Sequence, residues 1–231
     1  LASIGRLAAG VAHEIGNPIT GIACLAQNLR EEREGDGEII EISSQIIEQT
    51  KRVSRIVQSL MSFAHAGGRQ QSLYPVSLRD ITQEAIALLS LNRQRTEVRF
   101  VNQCHAEHLA EGDAQRLAQV VINLLSNARD ASSPGGTIRI SSEQSEQTVY
   151  LIVEDEGSGI PKAIQDRLFE PFFTTKDPGE GTGLGLALVY SIVEEHYGQI
   201  DIDSPADPVT QRGTRFRITL PRHVEASHAA S

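Results

Sequence analysis

Apolar residues recur at helical spacing from Leu1 to about Arg33, at Ile4, Leu7, Val11, Ile15, Ile22, Leu25 and Leu29. That spacing lays one stripe along a helix of 3.6 residues per turn. Glu34-Gly35-Asp36-Gly37 then breaks the pattern with turn chemistry. A second stripe follows at Ile39, Ile42, Ile46, Val53, Ile56, Val57 and Leu60. Two long amphipathic helices joined by a short loop predict an antiparallel helical hairpin. One hairpin cannot bury both stripes well, whereas two copies can do so in a dimeric four-helix bundle, so a homodimer is expected.

The polar, glycine-bearing run Gly67-Gly68-Arg69-Gln70-Gln71-Ser72 is the natural linker. Beyond it, Val98 to Val101, Thr137 to Ser141, Val149 to Val153, Gln199 to Ile202 and Thr214 to Leu220 read as strands. Leu78 to Leu91, Ala114 to Ala131 and Leu184 to His196 read as helices. Helices and strands around one sheet predict an α/β sandwich, and an α + α/β chain as a whole. The expected domains are residues 1–67, residues 72–222 and a frayed tail over 223–231.

Composition narrows the functions. Hydrophobic residues make up 39% of the 231 residues and charged residues 22%, as in ordinary globular chains. The net charge of -9 argues against a nucleic-acid partner, which needs a basic face to displace counterions. The two cysteines, Cys24 and Cys104, stand far apart and outside any CxxC spacing, so a reducing compartment is expected and a zinc site is not. Cys24 lies near the first apolar stripe and is expected in packing. No apolar run is long enough to cross a bilayer, and Leu1 to Leu7 is not a signal peptide. The chain starts inside a helical pattern without an N-cap, which suggests a cytoplasmic fragment that makes no membrane contact itself, cut from a parent with an open question of membrane attachment.

Four short constellations carry candidate chemistry. In Ala12-His13-Glu14-Ile15-Gly16-Asn17-Pro18, His13 and Asn17 share a helix face turned away from the stripe. Neutral imidazole is a nucleophile towards phosphorus, and Glu14 can accept its proton. Pro18 removes a backbone N–H and is expected to kink the helix. A zincin reading fails because Asn17 stands where HExxH needs its second histidine. Asn123 and Asn127 share another helix face and offer amide oxygens to Mg²⁺. In Val153-Glu154-Asp155-Glu156-Gly157-Ser158-Gly159 a strand ends in a carboxylate and a glycine turn, suited to a flat ligand. Gly181-Thr182-Gly183-Leu184-Gly185 opens onto a helix and offers N–H groups to phosphates, with neither Walker A nor Rossmann spacing. Each has a bland reading taken singly: a surface His-Glu pair, two surface asparagines, an acidic turn, a glycine loop. His105, His108, His196, His223 and His228 read as surface residues, and His65 as a side chain suited to a helix C-terminus.

Taken in order, these motifs resemble the H, N, G1 and G2 boxes of sensor histidine kinases. Phe169-Glu170-Pro171-Phe172-Phe173-Thr174-Thr175-Lys176 is similar to the F box of that family, and Gly213-Thr214 to its final glycine turn. The resemblance covers nearly the whole chain, and six motifs in order outweigh the separate bland readings. It implies a phosphoacceptor hairpin followed by an α/β sandwich ATP-binding domain. It further implies His13 as phosphoacceptor, Glu14 as its general base and Asn127 as Mg²⁺ ligand with Asn123 in support. Asp155 would contact adenine, with Gly157 and Gly159 shaping its surroundings. Gly181, Thr182, Gly183, Leu184, Gly185 and Thr214 would line the nucleotide, with Lys176 a phosphate contact on a lid over Thr174 to Thr182. The implied cofactors are ATP and Mg²⁺, and the implied partners a second copy and a response regulator receiver domain. Asn17 implies a phosphatase activity on that regulator. Hydrolytic members of the wider superfamily place Glu where Asn123 stands, so transfer is expected over hydrolysis. A scaffold that binds ATP without chemistry, and an ATPase, are the competing readings.

Overall fold

The computed structural model describes residues 2–33, 35–65, 73–91, 97–177, 181–207, 209–210 and 212–224, with the side chains of residues 2–14, 55–56 and 58–65 outside the description. The chain divides into two compact units, residues 1–69 with 170–185, and residues 70–169 with 186–231.

The first unit contains α1 (Ala2–Glu32) and α2 (Gly37–His65). Asp36 starts α2, because its Oδ1 accepts from the N–H groups of Glu38 and Ile39 at 3.2 and 3.3 Å. α1 runs without a break through Pro18, and the Thr20 hydroxyl donates to the Gly16 carbonyl at 2.9 Å. Ala26, Ser43 and Thr50 are buried, so small side chains mark the closest approach of the hairpin. Ile22, Leu25, Leu29, Ile42 and Ile46 remain 36–70% exposed in the single chain. Cys24, expected in packing, is exposed as well, which corrects that expectation.

The second unit opens with β1 (Tyr74–Ser77), which pairs antiparallel with β3 (Leu109–Gly112) in a small sheet of its own. α3 (Leu78–Ser90) follows directly, capped by the Ser77 hydroxyl, which accepts from the N–H of Asp80 at 3.2 Å. The main sheet has five strands: β2 (Arg99–Gln103), β4 (Thr137–Gln144), β5 (Thr148–Asp155), β6 (Gln199–Asp203) and β7 (Thr214–Pro221). Their spatial order is β2-β4-β5-β7-β6, parallel between β2 and β4 and antiparallel elsewhere. α4 (Ala114–Ala131), the short α5 (Lys162–Gln165) and α6 (Gly185–Glu195) complete the element order.

Strand alternation makes the sandwich. Val149, Leu151 and Val153 of β5 and Phe216, Ile218 and Leu220 of β7 point into the core. Leu117, Val121, Leu124 and Leu125 of α4 and Leu188, Ile192 and Val193 of α6 are buried in the same unit. Each such side chain contributes about 1.5–3 kcal/mol of transfer free energy. The opposite face is wet and laced with charge: Arg215 pairs with Glu154 at 2.6 Å, Arg217 with Glu143 at 3.2 Å, and Arg217 lies 4.2 Å over the Tyr150 ring. Exposed pairs of this kind are worth at most about 1 kcal/mol each, so the covered face carries the stability. The predicted strands and helices are present; β1, β3 and α5 are additions to the pattern reading.

Candidate functional site

The alternation that buries Val149, Leu151 and Val153 carries on one position further and buries Asp155, which is 5% exposed. A carboxylate on the core row must find donors, because stripping water from a charge is costly. Its Oδ1 accepts from the N–H of Gly157 at 2.8 Å and of Thr214 at 3.3 Å. Both donors found among the described residues go to Oδ1, which leaves Oδ2 without one. Burial pushes the carboxyl above its ordinary pKa, the two N–H groups pull it back, and the Glu154 charge raises it again.

The turn after Asp155 lies against the end of α4. A Cβ on Gly157 would approach the Ala131 carbonyl oxygen to 2.6 Å, so only glycine fits there. Gly157 in turn accepts from the N–H of Gly213 at 2.9 Å. The start of β7, with buried Thr214, and the turn of Gly157 and Gly159 therefore grip one carboxylate from two sides. Ser204 joins the same turns: its hydroxyl accepts from the N–H of Ile160 at 2.7 Å and donates to the Gly213 carbonyl at 3.1 Å.

α4 presents the asparagines. Asn123 and Asn127 are half-buried on the helix face that one turn later reaches Ala131, the residue against Gly157. Asn123 Oδ1 accepts from Gln119 Nε2 at 3.3 Å, while the Asn127 amide has no partner among the described residues. The helix is fixed at both ends. Arg129 is buried and donates to the Leu89 carbonyl at 3.1 Å. At the N-terminus Asp113 caps through its side chain, and its own N–H donates to His196 Nε2 at 3.0 Å. His196, expected at the surface, is fully buried. Its Nδ1 donates to the Ile192 carbonyl at 2.7 Å, so both ring nitrogens are used and the ring is neutral. Burial holds its pKa below the ordinary value, more than the Ile192 bond raises it. An ion pair of Arg116 with Glu195 at 2.7 Å runs beside it.

The remaining candidates belong to the first unit. His13 and Glu14 lie on α1, with side chains outside the described residues; Asn17 is exposed on the same helix. Lys176 and Thr174 flank Gly181, where a Cβ would overlap Thr174 Oγ1. Gly183 has φ +65°, accepts from the N–H of Phe172 at 2.9 Å, and a Cβ there would lie 2.6 Å from the Phe172 Cα. Thr182 Oγ1 accepts from the N–H of buried Leu184 at 3.4 Å just before Gly185 opens α6. Residues 178–180 of the expected lid lie outside the described residues.

Among the described residues, a buried carboxylate oxygen without a donor, glycine turns on two sides and an unpaired amide on the adjoining helix suit a flat, N–H-bearing ligand with an attached anionic group. Ser204, and Gln165 whose Nε2 donates to the Ile160 and Ser204 carbonyls, support this geometry and escaped the pattern reading, as did the burial of His196 at the other end of α4. A Ser-Pro step marks a turn, but it does not say which distant groups the hydroxyl joins.

Fold and site together define a phosphoacceptor hairpin and an ATP-binding sandwich on one chain. Residues 3–69 match the His Kinase A (phospho-acceptor) domain family, and residues 112–224 match the Histidine kinase-, DNA gyrase B-, and HSP90-like ATPase family. Sporulation kinase A of Bacillus subtilis (strain 168) is 34% identical over 224 residues, 96% of this chain and 35% of its own length. The mycobacterial sensor histidine kinase MprB superposes with TM-score 0.57 at 31% identity, covering 65% of this chain and 98% of its own. The histidine kinase ThkA, solved in complex with the response regulator protein TrrA, superposes with TM-score 0.66 at 27% identity over 95% of this chain and 62% of its own. The chain belongs to the sensor histidine kinase family, and it spans half or less of the length of its curated relatives. No described helix is long and apolar enough to cross a membrane.

Proposed function

We propose that the chain is the catalytic core of a histidine kinase: it binds Mg-ATP, moves the γ-phosphoryl group to His13, and passes it to an aspartate of a response regulator. The observation that carries this reading is buried Asp155 with one oxygen committed to two backbone N–H groups and the other without a donor among the described residues. Oδ2 accepts a hydrogen of the 6-amino group of adenine, at the position where guanine carries a carbonyl oxygen. We assign residues 1–67 to the phosphoacceptor hairpin and residues 72–222 to the nucleotide domain. Among the described residues no group of three His, Cys, Asp or Glu side chains is arranged for a metal. Mg²⁺ is assigned to the Asn127 amide oxygen, which has no partner among the described residues and would hold the ion beside the nucleotide phosphates. When bound, the ion neutralises phosphate charge.

In the transfer, a nitrogen of His13 forms a bond to the γ-phosphorus as the bond from that phosphorus to the bridging oxygen of ADP breaks. Glu14 takes the imidazole proton. Lys176, Gly181, Thr182, Gly183, Leu184, Gly185 and Thr214 are assigned to the nucleotide, the first as a phosphate contact on the lid. Asn123 is an amide and cannot deprotonate water, which favours transfer over hydrolysis. The complex of ThkA with the response regulator protein TrrA supports a receiver domain as the acceptor. Asn17, exposed on the helix that carries His13, is assigned to orienting water towards the regulator's phosphoaspartate.

The test uses ATP labelled in the γ-phosphate. The expected label is acid-labile, base-stable and absent from His13→Ala; Asn17→Ala keeps the label and loses phosphatase activity. No label with ATP bound would move the reading to a scaffold, and turnover without label to an ATPase.

A further inference from the structure

A serine hydroxyl has one proton to give and two lone pairs to receive, and Ser204 uses this capacity to join two separate turns. The N–H of Ile160 reaches its Oγ at 2.7 Å, and Oγ donates to the Gly213 carbonyl at 3.1 Å, with Thr214 Oγ1 at 3.4 Å. Gln165 holds Ser204 itself to the first turn: its Nε2 donates to the carbonyls of Ile160 at 2.9 Å and of Ser204 at 3.0 Å. The N–H of Gly213 closes the loop on the Gly157 carbonyl at 2.9 Å. The two turns joined in this way are the ones whose N–H groups hold Asp155 Oδ1. Neither Ser204 nor Gln165 is among the described hydrogen-bond partners of Asp155, so their influence on the carboxylate runs through backbone.

We infer that Ser204, braced by Gln165, is a positioning residue that sets the direction of Asp155 Oδ2 and thereby the selection of adenine. The inference rests on the reading of Asp155 as the base contact. Loss of the Ser204 hydroxyl lets the Gly157 and Thr214 turns drift apart, and the carboxylate then follows one or the other. The cost falls on recognition of the base and not on the phosphate end, so ATP and ADP weaken together while the maximal rate of phosphoryl transfer holds.

The test compares binding of ADP and inosine diphosphate, which lacks the 6-amino group, to the 231-residue chain and to Ser204→Ala. The expected result is a loss of about tenfold in ADP affinity, the size of one hydrogen bond in a buried site. The preference for ADP over inosine diphosphate narrows with it, and the rate at saturating ATP stays the same. Unchanged ADP affinity, or equal weakening of both ligands, overturns the inference, since general softening of the domain does not discriminate between bases. If Ser204→Ala does not fold, Gln165→Ala decides by the same narrowing or its absence. A wild-type chain that binds neither nucleotide would bring down the nucleotide reading itself, an outcome distinct from a wild type that binds ADP and a variant that binds it equally well.

Discussion

At the scale of single residues, the site is a place where stability is given up for recognition. Burial raises the pKa of Asp155, so the folded state disfavours its ionised form relative to the unfolded chain. A group shifted upwards adds stability below its unfolded pKa and loses it as pH rises through the folded value. At neutral pH the ionised carboxylate therefore weakens the empty domain. Asp155→Asn keeps an oxygen to accept from Gly157 and Thr214 while removing the buried charge. The thermal midpoint of the ligand-free protein should stay level or rise. ATP binding should fall by about tenfold or more, because an amide N–H then faces the adenine amino group and a charge-assisted bond is lost. Calorimetry and a nucleotide titration measure the two arms; a fall in midpoint with binding intact contradicts the assignment. The carboxylate at a strand end followed by a glycine turn was legible in the sequence, since strand, charge and turn are all local signals. The Ser204 and Gln165 contacts were not, because they span 44 and 39 residues and depend on how β6 and β7 return past the turn.

At the scale of elements, α4 and α6 are locked to each other at one end. His196, at the C-terminal end of α6, accepts from the first N–H before α4, and Glu195 pairs with Arg116 one turn inside it. Gly112 leaves room for the ring, because a Cβ there would lie 2.8 Å from His196 Cδ2. A helical pattern ending in Glu-Glu-His gives no sign of this, and a histidine at a helix end is by default solvated; only the arrival of the β3–α4 turn buries it. The small β1–β3 sheet was illegible for a similar reason, as four-residue strands carry too little periodicity to register. The lock makes a prediction about pH. The folded pKa of His196 is lowered, so its stabilising share is present above the unfolded value near 6.5 and is lost as pH falls towards the folded one. Protonation would also cost the bond from Asp113, since an imidazolium has no lone pair left to accept it. Arg116 adds to the lowering, while the Asp113 charge and the Ile192 bond oppose it. Between pH 7.5 and 5.5 the wild-type melting temperature should drop more than that of His196→Gln, which does not titrate. Parallel slopes would show that the ring is not the titrating lock.

At the scale of the whole molecule, the first unit leaves its apolar work unfinished. Leu25 is 70% exposed, and Ile22 and Ile42 are 45% and 47% exposed, although the helical period aligns them as a stripe. A groove of about 440 Å³ between the two helices is lined by Ile19, Ile22, Ile42, Ile46 and Val53. Such a surface calls for a cover, and the stripe is self-complementary across a two-fold axis. A second copy would bury these side chains at about 1.5–3 kcal/mol each, enough over several residues to offset the cost of association. Light scattering should therefore give about twice the 25.1 kDa chain mass for the wild type. The pair Ile22→Glu and Leu25→Glu should return the chain mass, because like charges would face each other across the bundle. ADP binding should survive in that variant, since none of the residues assigned to the nucleotide lies on α1 or α2. A wild type of single-chain mass would leave the stripe without its second copy. A doubly charged variant that stays dimeric would place the interface on some other face.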